Sequence, residues 1–311
     1  MKARTRLVAL LVALSAAGVF AADWPGYLGP RRDSTSAEKG ILRTWPKEGP
    51  KVLWTVPVGI GFGGPVVSGG KVYLLDRDDA VGDKLRCLDF ATGKELWSLA
   101  SGGPGRFDHP GSRTSPAVDG NIVYTFGPLG DLYAVSTETH KPIWNKNVWK
   151  ENGGEQLPRW VLTQNPLVYR NLVIVAAQTS QVGVVAYDKA TGELKWKSPA
   201  LQGLAGYVSP SLVKVGGEDH LVMVMAARGF GRGATGGSVS GLDPLSGKVL
   251  WTYTNWGCGI PVPHAVDAGE GRVLVTGGYS AGDFHFSSPV ALSYATTPTS
   301  EVWAATITRL R

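Results

Sequence analysis

The chain has 311 residues, 43% of them hydrophobic and 18% charged; this balance excludes intrinsic disorder as its general state and suffices for a buried core. Its 42 glycines and 20 prolines make about a fifth of the residues, against about an eighth in average usage, and since both are disfavoured in helices a helical bundle is excluded. The formal charge of +6 would suit an anionic partner only if the cations clustered on the folded part, and they do not.

Three of those cations, Lys2, Arg4 and Arg6, open the chain, and Leu7 to Phe20 follows as an almost wholly apolar run. With Val19-Phe20-Ala21 as a small-residue cleavage site, residues 1–21 are predicted to be a secretory signal peptide. The apolar run is shorter than the roughly 18 to 20 residues that span a bilayer, so no transmembrane span is expected after cleavage, an uncleaved anchor being the other reading. Cleavage after Ala21 leaves a net +3, too little and too scattered for a nucleic-acid footprint. A periplasmic or secreted protein is expected. Cys87 and Cys258 lie too far apart in sequence to be paired or kept apart by spacing alone.

Residues 22–50 read as an extended N-terminal segment, and the repeats begin after it. Six of the eleven tryptophans form one series, Trp54, Trp97, Trp144, Trp196, Trp251 and Trp303, at spacings of 43, 47, 52, 55 and 52. Ahead of three of them the text recurs: Cys87-Leu88-Asp89-Phe90-Ala91-Thr92-Gly93 before Trp97, Ala186-Tyr187-Asp188-Lys189-Ala190-Thr191-Gly192 before Trp196, and Gly241-Leu242-Asp243-Pro244-Leu245-Ser246-Gly247 before Trp251. A weaker copy runs from Ala134 to Trp144, and the tract before Trp303 lacks the Asp and the Gly. Self-similarity at 40 to 55 residues predicts propeller blades. Val72-Tyr73-Leu74-Leu75, Ile122-Val123-Tyr124-Thr125, Leu172-Val173-Ile174-Val175 and Val273-Leu274-Val275-Thr276 read as inner strands. The Asp-x-x-Thr-Gly turn then makes the hairpin to the outer strand, its Asp bonding backbone N–H groups and its Gly taking positive φ. The tryptophan is expected to cover the gap between neighbouring sheets, with room made by Cys87, Ala134, Ala186 or Gly241. Trp149 lies outside the series and is expected to matter less to stability.

Residues just before each innermost strand should line the channel mouth, where ring-like folds gather ligands. Arg113, Gln164, Asn165 and His264 are the candidates there, against the alternative that each bonds a neighbouring loop. No catalytic or metal-binding residue is assigned, because the five histidines show no short ligand spacing. The glycine-rich Arg228 to Gly237 has no lysine and no following helix pattern, so it reads as a long hairpin loop and not as a phosphate cradle.

The repeat A-x-D-x-x-T-G-x-x-x-W resembles the tryptophan-docking motif of the pyrroloquinoline-quinone-type β-propeller, over about residues 51 to 303. Asp23-Trp24-Pro25-Gly26-Tyr27-Leu28-Gly29-Pro30, Trp160 to Pro166, and Trp256-Gly257-Cys258-Gly259-Ile260-Pro261 are similar to an exported bacterial branch related to the outer-membrane assembly factor BamB. The resemblance implies an all-β propeller over residues 51–311 with four-stranded blades. About five are present, as an incomplete ring of a kind that commonly has about eight. It implies two functions. One is an envelope scaffold without chemistry or cofactor, bound to envelope or outer-membrane proteins. The other is a quinoprotein alcohol dehydrogenase with pyrroloquinoline quinone and calcium over the axis. Those dehydrogenases carry an adjacent cysteine pair, which neither Cys87 nor Cys258 provides. Glu155, Asn165 and Asp108 occur in loops, but no surrounding pattern marks them as the calcium and base residues.

Overall fold

The computed structural model describes residues 22–229 and 233–277, and the backbone of 302–306. The predicted signal segment 1–21 lies outside the described residues. The first sheet comprises β1 (Val66–Ser68), β2 (Lys71–Asp78), β3 (Gly82–Asp89) and β4 (Glu95–Ser101), all antiparallel in that order. The second repeats this with β5 (Ala117–Asp119), β6 (Ile122–Phe126), β7 (Asp131–Ser136) and β8 (Pro142–Asn147), after which comes one helical turn, α1 (Val148–Glu151). The third has β9 (Leu167–Tyr169), β10 (Leu172–Ala176), β11 (Val184–Asp188) and β12 (Leu194–Lys197). The fourth has β13 (Ser211–Val215), β14 (Glu218–Met225), β15 (Gly237–Leu242) and β16 (Val249–Trp256). A fifth sheet holds β17 (Val266–Asp267), β18 (Arg272–Thr276) and β19 (Val302–Thr306). These are propeller blades. First strands lie beside first strands, β1 against β5, β5 against β9 and β13 against β17. The four apolar runs read as inner strands are therefore the second strands, since a still shorter strand precedes each of them on the axis side.

The alternation of side chains across a strand explains why those second strands are apolar throughout. On β10, Val173 and Val175 pack toward the second blade with Tyr124 and Phe126, whereas Leu172 and Ile174 pack toward the fourth with Leu221 and Met223. Each seam between neighbouring blades is thus its own core, and burying one such Val, Leu or Ile contributes about 1.5–3 kcal/mol.

The small residues sit directly across from the tryptophans. Cys87 is in register with Trp97, Ala134 with Trp144, Ala186 with Trp196 and Gly241 with Trp251. The indoles of Trp97, Trp144 and Trp196 then reach the hairpin of the following blade. Trp144 donates its N–H to the carbonyl of Lys189 at 3.2 Å, and a Cβ on Gly192 would lie 2.6 Å from the Trp144 ring. Trp196 meets Gly247 in the same way, and Trp97 stacks at 4.9 Å on His140. Within the hairpin, Asp89 Oδ1 accepts from the Thr92 backbone N–H at 2.8 Å and the Thr92 hydroxyl at 2.7 Å. Those bonds hold its carboxyl below the usual aspartate value.

Two tryptophans depart from the expected pattern. Trp303 lies on β19, paired with Val275 of β18, so it occupies the third place in its sheet and not the outer fourth. Residues 51–58 pair with no strand among the described residues. Trp54 nevertheless reaches the first blade as the others reach theirs, with its N–H on the carbonyl of Phe90 at 2.9 Å and its ring against Gly93.

The N-terminal segment is a strap across the innermost strands. Trp24 exchanges two backbone bonds with Val67 of β1, at 2.8 and 2.9 Å, and Asp23 accepts from the Gly69 N–H at 3.1 Å. Pro25 accepts from the Val118 N–H at 2.7 Å, Arg32 donates to the carbonyl of Val168, and Tyr27 meets His264 edge-on at 5.9 Å. Four blades are therefore tied by one strap. No helix among the described residues is long and apolar enough to cross a membrane.

Candidate functional site

The segments just before the innermost strands carry several polar side chains, and most of these face other blades. Gln164 is fully buried. Its amide donates to Gln178 Oε1 and to the carbonyl of Gly206, both at 2.6 Å, while its own oxygen accepts from the Thr163 N–H at 3.1 Å. Asn165 accepts from the Ser115 N–H at 2.6 Å and donates to Ser209 Oγ at 2.9 Å, so it joins the second, third and fourth blades. Thr114 donates to the carbonyl of Phe126 at 2.6 Å. His264 stands against Tyr27, and burial holds it below the ordinary histidine value.

Arg113 is different. It is half-buried, its Nη2 donates to the carbonyl of His109, and Phe62 lies 5.1 Å from its guanidinium carbon. Its buried Nε has no acceptor among the described residues, and burial lowers its pKa, with Tyr207 acting in the opposite sense. An aromatic run continues from it: His109 is 6.1 Å from Trp160, and Trp160 is 5.3 Å from Tyr207. These rings sit on fixed backbone. Phe62 N–H donates to the carbonyl of Ser112 at 2.9 Å, and Tyr207 N–H to that of Pro261 at 3.1 Å. Beyond Tyr207 opens a cleft of about 650 Å³ bordered by Arg159, Glu155 and Arg228, with Gln178 among its lining residues. Trp160 belongs to a segment that the sequence marks by resemblance, but nothing local indicates that Phe62, His109 and Tyr207 gather around Arg113.

A second polar cluster lies between the first two blades. Arg77, with a fully buried side chain, is 3.1 Å from Asp83 Oδ2 and donates to the carbonyls of Gly103 and Gly105 at 3.0 and 2.9 Å. Phe107 lies over its guanidinium at 4.6 Å. Burial outweighs the cation for Asp83, pushing its carboxyl up to about 6.

Among the described residues, no three His, Cys, Asp or Glu side chains converge as a metal site. Asp108 instead pairs with Arg159 at 3.5 Å, and Asn165 is engaged between blades. Both cysteines are free and buried, and burial pushes each thiol up to about 11. Cys258 donates to the carbonyl of Gly277 at 2.7 Å. The hairpin Arg228 to Gly237 closes through a bridge between Arg228 and Thr235, and residues 230–232 within it lie outside the described residues.

Four-stranded blades in sequence, seated on one another by tryptophans, define a propeller of the quinoprotein type. The chain belongs to the family whose model is described as outer membrane protein assembly factor BamB, matched over residues 34–157 and 82–279. It is 29% identical over 151 residues to quinoprotein alcohol dehydrogenase PedH of Pseudomonas putida, covering 46% of this chain and 24% of that protein. It is 30% identical over 105 residues to outer membrane protein assembly factor BamB of Xanthomonas campestris pv. campestris, covering 33% of this chain and 25% of that one. The matched part thus spans about a quarter of these relatives' length. Among solved structures, BamB from Moraxella catarrhalis aligns at a TM-score of 0.44 and 18% identity, over 73% of this chain and 58% of the other.

Proposed function

We propose that the chain is an exported propeller scaffold of the cell envelope that binds protein partners in outer-membrane assembly and carries out no chemistry of its own. The observation that carries this is the use made of the mouth residues. Gln164 and Asn165, the polar groups best placed to receive a small ligand, are engaged between neighbouring blades. A mouth so stitched is a rigid platform, and a rigid platform suits a binding surface. Family membership supports the scaffold reading. The basic start and apolar run of residues 1–21 support export, to the periplasm or beyond.

The match to PedH favours a second reading, a quinone-dependent alcohol dehydrogenase. One experiment separates the two. The purified protein is titrated with pyrroloquinoline quinone and calcium while the quinone absorption is recorded, and dye-linked oxidation of alcohols is then measured. The scaffold reading expects neither saturable binding nor turnover, and expects cross-linking in envelope fractions to barrel-assembly proteins. Stoichiometric quinone binding with turnover would replace it by the second.

A further inference from the structure

The run from Phe62 to Tyr207 combines a cation that has no carboxylate partner with a stretch of aromatic surface. Arg113 makes no ion pair among the described residues, and its Nε is buried without an acceptor. A guanidinium has five N–H donors, and withdrawing it from water without an anion is unfavourable. Beside it Phe62 is 65% exposed, and Trp160 and Tyr207 are half-buried. Arg159 and Arg228 line the adjoining cleft together with Glu155, and Asp108 pairs with Arg159. These four charges cancel, so Arg113 is the excess cation of the cluster.

We propose that this cluster docks a protein segment presenting a carboxylate next to an aromatic side chain. The carboxylate pairs with Arg113, and the ring lies on Trp160 and Tyr207. The inference rests on the scaffold reading and names the chemistry of its partner. Charge complementarity selects an acidic segment, because a carboxylate both answers the charge of Arg113 and accepts from its planar fork more strongly than a neutral carbonyl does. Extent selects a peptide over a free anion: the ring-to-ring steps from Phe62 to Tyr207 and the cleft beyond outrun any single carboxylate. Aromatic residues and arginine on a fixed backbone are also the composition that dominates binding energy in protein interfaces.

The test uses the whole chain and two fluorescein-labelled ten-residue peptides, one alternating Asp and Phe, the other Asn and Phe. The Asp/Phe peptide is expected to bind saturably, more weakly as salt is raised. Binding should weaken about tenfold or more in Arg113→Gln and in Trp160→Leu, and should not change in Lys214→Gln at the far end of β13. Thermal melts followed by circular dichroism check that each variant is folded. If Arg113→Gln is not, Arg113→Lys is measured, which keeps the charge but not the planar fork, and weaker binding is again expected. Equal binding of both peptides, an unchanged affinity in folded Arg113 variants, or full displacement by equimolar acetate would overturn the proposal. Loss of peptide binding with envelope cross-linking intact would remove this inference alone, whereas quinone turnover would remove the scaffold reading beneath it.

Discussion

The indole N–H of Trp251 donates to Nδ1 of His220 at 2.9 Å, across one blade from β16 to β14. Nδ1 is therefore an acceptor, which an imidazolium cannot supply, and burial lowers the pKa of His220 in the same sense. The unfolded chain binds this proton more readily than the folded one. The stability that the neutral ring contributes is thus complete above about pH 6.5 and is lost as pH falls below it. Urea midpoints of the natural protein and of His220→Asn, measured from pH 7.5 down to 5, should diverge at the upper end and converge at the lower. A constant difference would mean that His220 keeps its proton state on folding.

Asp83 should show the opposite dependence. Its folded value of about 6 stands above the usual aspartate 3.8, so the folded state holds the proton more tightly. Its contribution is greatest below pH 3.8 and is lost as pH rises through 6. Carbon-detected NMR of the side-chain carboxyl should give a midpoint near 6, and Arg77→Met should move it higher by removing the cation that lowers it. A midpoint near 4 would show that the ion pair fully offsets burial.

What the sequence makes readable here is what acts locally. The Asp89 turn is legible because its hydrogen bonds reach only three residues, to Thr92, and the facing of Ala186 to Trp196 follows from their ten-residue hairpin. Gln164 and Asn165 can be singled out as polar residues just ahead of an inner strand, but their partners Gly206 and Ser209 lie more than forty residues away on another blade. Only knowledge of how blades abut supplies such pairs. The strap is hidden for another reason. Trp24 to Arg32 meets each of four blades in a different way, so no period announces it. Arg113 could be singled out as a polar head at a channel, whereas the rings that surround it come from three separate loops.

Trp149 is a case where the missing period misleads. It lies outside the tryptophan series, yet it is 7% exposed against 8% for Trp196; its ring fills the space over Gly154 and its Cβ that over Gly130. Trp149→Ala and Trp196→Ala should therefore each cost about 3–5 kcal/mol, read from urea unfolding at neutral pH. A loss at Trp149 well below that at Trp196 would show that α1 collapses into the vacated space, relieving the cavity.

The docking hairpins give the last expectation, because one of them departs from the motif. Gly192 has φ of +72° and His140, at the matching position, φ of +59°. In Gly192→Ala the new methyl would meet backbone strain of about 1–2 kcal/mol and a Trp144 ring only 2.6 Å away. Since that ring is tied to Lys189, relief requires breaking the dock, and a loss above about 2 kcal/mol follows. His140→Gly removes similar strain but gives up the stacking on Trp97 at 4.9 Å, worth about 0.5–1.5 kcal/mol. The two effects nearly cancel, so its unfolding free energy should stay within about 1 kcal/mol of the natural protein. Urea denaturation of the two variants side by side decides it. A Gly192→Ala protein as stable as the natural one would mean that Trp144 is not seated on the third blade, and the seam between those blades would need another fastening.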